Sequence, residues 1–314
     1  MSGLGTGRIV CLGDAMVDVL ALLPAPLTVG SDTPAPISVS QGGSAANTAA
    51  WLASIGSPSA FLGRVGQGAF GEEVTRELES HGVEVAVAVD GLTSTGVCLV
   101  LIGPDGERTM IPSAGANDRL STEDIDAAQL SSHDQLHLSG YALLKEGSRQ
   151  AARYALEAAG RLGIPISVDA ASAEPIRQIG AERLMDWLPA ASTLLANRDE
   201  ASVLSGVDDP AEAAQRLAAR FARVVVKCGG QGAVTAEKDG QSGRVTLEQI
   251  VLEQVSAEPV TVLDSTGAGD AFAAGLLHGL RTGGSLREAA QAGNRLGALA
   301  VSRVGGRPPL PGKH

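Results

Sequence analysis

The chain has 314 residues, 44% of them hydrophobic and 19% charged, with a formal net charge of −11. That length and composition suit one large α/β domain or two small ones around a sizeable core. The acidic balance repels phosphate backbones and anionic lipid, so neither nucleic acid nor a membrane surface is an expected partner.

In chain order, the apolar run at 8–13 reads as a buried strand and 47–56 as a helix that ends at a glycine. Residues 60–66 and 71–80 form the next strand–helix pair. The pattern repeats as 134–140 with 147–162, 165–170 with 181–188, and 192–197 with 198–205. It closes with a strand at 223–229 and another at 260–264, which leads into a helix over 267–282. Strands alternating with helices predict a doubly wound, mostly parallel sheet covered on both faces, a Rossmann-type three-layer α/β fold. Two segments, 31–41 and 93–112, carry strand signals with no helix between their halves, and the turn residues at 104–107 make the second a hairpin. They predict a small antiparallel β lid over a ligand site, or else an extension of the main sheet. With no repeat or low-complexity linker, one domain over 1–314 is expected, its lid formed by about 14–41 and 92–115.

No window approaches the ~20 apolar residues of a membrane span. Asp14 and Asp18 interrupt the apolar run near the start, so no signal peptide is expected. Cys11, Cys98 and Cys228 lack disulfide or zinc spacing and read as buried thiols of a cytoplasmic protein. His133 and His137 lie four apart in a strand pattern, which does not converge two rings on one metal.

Two stretches compete as a phosphate site. Gly66, Gly68 and Gly71 spell G-x-G-x-x-G between a strand and a helix, and Asp90 follows 19 positions after Gly71. This has the layout of a dinucleotide fingerprint, which would support an NAD-dependent oxidoreductase. The pattern is lone, however, one strand–helix unit already precedes it, and no proton-relay His or Lys accompanies it. The glycines are therefore expected to form the turn and helix start of the second βα unit. The other stretch is 262–277, where Gly267, Ala268 and Gly269 open a helix with Asp270 in its first turn. Small residues there let the backbone approach a ligand, and free amides at a helix start attract an anion. A carboxylate beside an anion pocket suits phosphoryl transfer, with Asp270 taking the proton of an attacking hydroxyl. Alternatively Asp270 only complements the helix dipole. Two further stretches offer polar groups. Gly42 and Gly43 precede a helix with Asn47 at its start, as a hydroxyl ligand or a cap. Asp14 and Asp18 follow the first strand, where open α/β sheets bind ligands.

Together, "GGSAANTA" at 42–49 and "DSTGAGDAFAAG" at 264–275 resemble the two signatures of the ribokinase-like (PfkB) carbohydrate kinase family. The resemblance spans nearly the whole chain. It implies an ATP-dependent kinase acting on a small sugar or sugar acid, with Asp270 as base and Gly267, Ala268 and Gly269 as anion hole. It also implies sugar contacts at Asp18, Gly42, Gly43 and Asn47. "NRDE" at 197–200 matches the family's N-x-x-E motif, which implies that Asn197 and Glu200 join a Mg²⁺ and phosphate network; read alone, they form a helix cap. Lys227, Gly229 and Gly232 fall where the family holds ATP, and Asn294 near the adenine. Asp264 and Thr266 match half of a K⁺ loop, and a homodimer through the lid is implied. Ser44 stands where ribokinase has lysine, and 137–144 offers no counterpart of its ribose-contacting glutamate. A nucleoside kinase of the same family is the alternative within this reading. It would need a stacking surface, yet none of the aromatic residues falls in the lid segments 31–41 and 93–112. A kinase-like fold that only binds a ligand is the non-enzymatic alternative; a pure binder needs no base.

Overall fold

The computed structural model describes residues 7–104, 108–238 and 250–310. The elements run β1 (Ile9–Leu12), β2 (Met16–Leu22), β3 (Ile37–Gly42), α1 (Ser44–Ser54), β4 (Ser59–Gly66), α2 (Ala69–Ser80) and β5 (Glu84–Asp90). Then come β6 (Gly96–Ile102), β7 (Arg108–Ser113), α3 (Thr122–Ala127), β8 (Gln135–Ser139), α4 (Tyr141–Leu144), α5 (Glu146–Leu162) and β9 (Ile166–Asp169). They are followed by α6 (Ala173–Ile179), α7 (Ala181–Asp186), β10 (Thr193–Asn197), α8 (Arg198–Ser205), α9 (Pro210–Leu217) and β11 (Arg223–Lys227). The described chain ends with β12 (Ala233–Lys238), β13 (Ile250–Val255), α10 (Ala268–Arg281) and α11 (Leu286–Val301).

Nine strands form the main sheet in the order β13-β12-β11-β10-β9-β8-β1-β4-β5. From β11 to β5 every pairing is parallel, while β12 and β13 extend the edge antiparallel, beyond the strands the pattern predicts. Alternation along β1 builds the three layers. Ile9 and Cys11 face α1 and α10, and Val10 and Leu12 face the cluster under α5 to α9. The order in which successive strands are added reverses at β1, whose parallel neighbours are β4 and β8, so a crevice opens beyond its carboxyl end.

The second sheet has the order β3-β2-β6-β7. Its outer pairs are antiparallel and its central pair, β2 with β6, is parallel. The turn expected at 104–107 lies at 105–107 outside the described residues, but the two strands it would join pair as a hairpin does. Register divides this sheet cleanly. Asp18 sits opposite Cys98, which sits opposite Pro112, on the cavity side. Val39, Val19, Leu99 and Ile111 form a row on the other face.

One expected strand is absent. Residues 260–264 run as a loop, with Val262 and Leu263 largely exposed, because no strand lies alongside to complete a ladder. Leu263 N–H instead donates to the Val301 carbonyl at 2.8 Å. Its apolar letters serve the cavity wall, to which Val260 and Val262 contribute. Among the described residues no helix is long and apolar enough to cross a membrane. Cys11, Cys98 and Cys228 are buried and unbridged.

Candidate active site

Five parallel strands deliver polar residues to one end of the main sheet. Asp14 follows β1, Ser139 ends β8, Asp169 ends β9, Asn197 ends β10 and Lys227 ends β11. Register sets neighbours: Ser139 lies opposite Asp169, and Asn197 opposite Lys227. All but Ser139 line a cavity of ≈ 1230 Å³ that runs from the small sheet to the start of α10 and beyond. Such a volume exceeds the ~300–1,000 Å³ of an ordinary small-molecule pocket and leaves room for two ligands side by side.

At the centre lies Asp270, third residue of α10. The helix begins at Gly267, whose φ of +72° puts it in the left-handed region, and a Cβ there would sit 2.4 Å from the Gly306 carbonyl. Only glycine allows this turn, and it aims the first amides of α10 into the cavity. Ala268 N–H reaches the Ser265 carbonyl at 3.3 Å, whereas the amides of Gly269 and Asp270 belong to the first turn and have no acceptor within the helix. The Asp270 carboxylate accepts from Ser44 Oγ at 2.8 Å and from Asn47 Nδ2 at 2.9 Å. Burial outweighs those bonds and raises its pKa to about 7.

The remaining N-terminal candidates gather round this carboxylate. Asn47 does not cap α1, since Gly43 holds that position; it lies inside the helix and points at Asp270. Asp14 accepts from the Ser44 amide at 3.2 Å and from Ser139 Oγ at 3.4 Å, so it also stabilises the start of α1. Asp18 lies against Gly42, and burial pushes its carboxyl up to about 6 in spite of the nearby Arg307 cation.

On the far side of the cavity Lys227 Nζ meets Asp169 Oδ2 at 2.5 Å. A Cβ on Gly269 would sit 3.4 Å from that same ammonium, which therefore stands beside the opening of α10. Burial opposes the charge on Lys227, but Asp169 and Glu200 more than offset it and its pKa is raised. Asn197 and Glu200 form a capping box on α8: Asn197 Oδ1 accepts the Glu200 amide at 2.9 Å and Glu200 Oε2 accepts the Asn197 amide at 2.7 Å. Glu200 is buried, which lifts its pKa to about 7 against the pull of Lys227. Gly229, Gly232 and Asn294 line the same half, and Asn294 Nδ2 donates to the carbonyls of Val255 and Ser256 at 3.0 and 3.2 Å. Asp264 accepts the Thr266 amide at 2.7 Å and the Gly305 amide at 3.0 Å, stitching the approach to α10 to the chain after α11.

A sequence profile of pfkB family carbohydrate kinases matches residues 6–313. The chain belongs to that family. The fructokinase of Klebsiella pneumoniae is 32% identical over 319 aligned residues, which cover 98% of this kinase and 97% of the relative. Among solved structures, the fructokinase from Vibrio cholerae O395 in its fructose-, ADP- and calcium-bound form is 27% identical, with a TM-score of 0.79, over 97% of this chain and 96% of that one. The adenosine kinase from Sinorhizobium meliloti is 25% identical with a TM-score of 0.81, over 96% of each chain.

The rival fingerprint has no part in the kinase cavity, since Gly66, Gly68 and Gly71 do not line it. Gly71 is needed for packing, because a Cβ there would lie 2.1 Å from the Gly66 carbonyl. Asp90, the would-be ribose ligand, accepts from the amides of Leu92 and Thr93 and pairs with Arg64 at 3.1 Å and Arg119 at 3.0 Å. Those contacts hold its carboxyl well below the usual range, led by the Leu92 amide. His137 is buried against Ser167 Oγ at 2.9 Å while His133 is exposed, so the two rings do not share a site.

Three contributors escape the sequence motifs. Asp169 was signalled only by its place at a strand's carboxyl end. Ser44 sits inside a motif at a position that departs from ribokinase. Arg307, buried with Nε 3.2 Å from Asn47 Oδ1, lies in the 304–309 stretch that the resemblance sets against the K⁺ loop, where it matches no expected ligand.

Proposed function

We propose that this kinase transfers the γ-phosphoryl group of ATP to a hydroxymethyl group of a small sugar or sugar acid, with Asp270 as the base. One observation carries the reading: the half-buried Asp270 carboxylate, whose pKa desolvation pushes up to about 7, shares a cavity with the amide-lined start of α10. The sugar binds on the small-sheet side among Asp14, Asp18, Gly42, Gly43 and Asn47, whose oxygens and amide suit polyol hydroxyls. ATP lies along Asn197, Lys227, Gly229, Gly232 and Asn294. The sugar oxygen attacks the γ-phosphorus in line, its proton passes to Asp270, and ADP leaves with the electrons of the broken P–O bond. Gly267, Ala268 and Gly269, with Lys227 beside them, form the anion hole that stabilises charge on the moving phosphoryl group, the Ala268 amide exchanging its long bond to the Ser265 carbonyl for a phosphoryl oxygen.

The nucleotide side also suits Mg²⁺. Asp169 and Glu200 supply oxygen donors only, and two carboxylates face one ammonium. Mg²⁺ keeps several waters and binds through one or two carboxylates plus substrate phosphates, which suits this pair of oxygen donors. Glu200 would hold Mg²⁺ through water, and the ion would supply charge neutralisation to the phosphates. Asp264 and Thr266 would hold K⁺ at the approach to α10.

The whole of 1–314 acts as one kinase domain, with the small sheet as a lid from about 14–41 and 92–115. The apolar outer face of that sheet, where Ile37 is 67%, Val39 57% and Ile111 54% exposed, supports a homodimer through the lid. Buried unbridged thiols fit the cytoplasm. The test is ATP consumption with pentoses, hexoses, keto-deoxy acids and nucleosides in parallel. Sugar-dependent ADP formation is expected. Turnover with nucleosides alone would move the acceptor class, and tight NADH binding without ATP binding would overturn the reading.

A further inference from the structure

After α11 the chain folds back between α1 and α10. Trp51 Nε1 donates to the Gly306 carbonyl at 2.9 Å, and this clamp buries the next side chain, Arg307, to 4% exposure. The guanidinium is spread over three elements. Nε donates to Asn47 Oδ1 at 3.2 Å, Nη2 donates to the Gly42 carbonyl at 3.0 Å, and Nη1 lies 3.6 Å from Glu77 Oε2 on α2 without a hydrogen-bond partner. The carboxylate partner, Glu77, stands at ion-pair distance and not in the bidentate grip common for arginine. Arg307 directs two of its donors at neutral oxygens of the sugar-side residues.

The consequence follows from donor chemistry. Guanidinium has no acceptor, so Asn47 must turn Oδ1 toward it, and Nδ2 then faces Asp270 Oδ2 at 2.9 Å. A flipped amide would set donor against donor at Arg307 and acceptor against acceptor at Asp270. We propose that Arg307 is a positioning residue of the phosphoryl-transfer site, locking the Asn47 amide onto the Asp270 carboxylate and fixing the Gly42 carbonyl beside the sugar. This rests on Asp270 being the base, as proposed above.

Two separable effects are expected. Besides Ser44 and Asn47, the groups facing Asp270 are Asp169, Lys227, Cys11, Tyr141 and Arg307. Loss of the Arg307 cation, together with a freed Asn47 amide, disfavours the carboxylate, so the base ionises at higher pH. Loss of the Gly42 contact loosens the junction between β3 and α1 and raises KM for the sugar.

The experiment measures kcat and sugar KM across pH for the wild type, Arg307→Met and Arg307→Lys, with melting temperatures alongside. In Arg307→Met the acid limb of kcat should move up by about one unit, a loss of about fivefold near pH 7 that is recovered near pH 9. Arg307→Lys should restore the limb, because the charge returns, while KM stays raised, because one ammonium cannot serve both Asn47 and Gly42. Should Arg307→Met fail to fold, the lysine variant decides: a wild-type limb with raised KM supports the role, and a wild-type KM overturns it. A loss uniform across pH in both variants, tracking melting temperature, also overturns it. Failure of the kinase reading would show instead in the wild type, as no phosphorylated sugar.

Discussion

The Asp270 carboxylate accepts two hydrogen bonds, and burial still raises its pKa to about 7. Turnover should therefore rise with pH through about 7 as the base deprotonates, and a pH–rate profile that is flat from about 5 to 9 would contradict that. The same shift has a cost in stability. A carboxyl whose folded pKa lies above its unfolded value keeps its proton longer in the folded state, so stability falls as pH rises between those two values. Asp270→Asn should thus raise the melting temperature near pH 8 and raise it less near pH 5, where the folded wild type is already protonated; thermal denaturation at the two pH values checks this. Asp270 was legible because its motif packs glycines, helix start and carboxylate into a few letters. Arg307 was not, because its role depends on a chain reversal that brings residue 307 back to residue 47.

At the scale of elements, periodicity identified the parallel strands and most of the helices behind them, since alternate faces of β1, β4, β10 and β11 are buried in different clusters. It misread 260–264, where apolar residues line a cavity instead of filling a ladder. The sequence carries two glycine-rich strand–helix junctions and already favours the one with Asp270 in its first turn. The cavity separates them: glycine is required for close backbone packing at both, but only the start of α10 opens into the cavity. Gly71→Ala should cost about 1–3 kcal/mol of stability through overpacking. Chemical denaturation would measure the loss, and calorimetry on the folded variant should find ATP affinity unchanged. Weakened ATP binding in folded protein would return the first junction to the nucleotide site.

Across the whole molecule, the cavity lies between the mostly parallel sheet and a small sheet of contrasting faces, one turned to the cavity and one apolar and exposed. Burying that outer face against a second copy removes it from water, so Val39→Lys combined with Ile111→Lys should convert dimer to monomer in light scattering. A wild type that is monomeric at the same concentration would remove the lid dimer from the account. The central claim is that Asp270 takes the proton of a sugar hydroxyl during phosphoryl transfer. Steady-state turnover of Asp270→Asn, with ATP binding measured on the same protein, tests it most directly. The account predicts retained ATP binding with kcat lower by ~10²–10⁴; turnover close to wild type would contradict it.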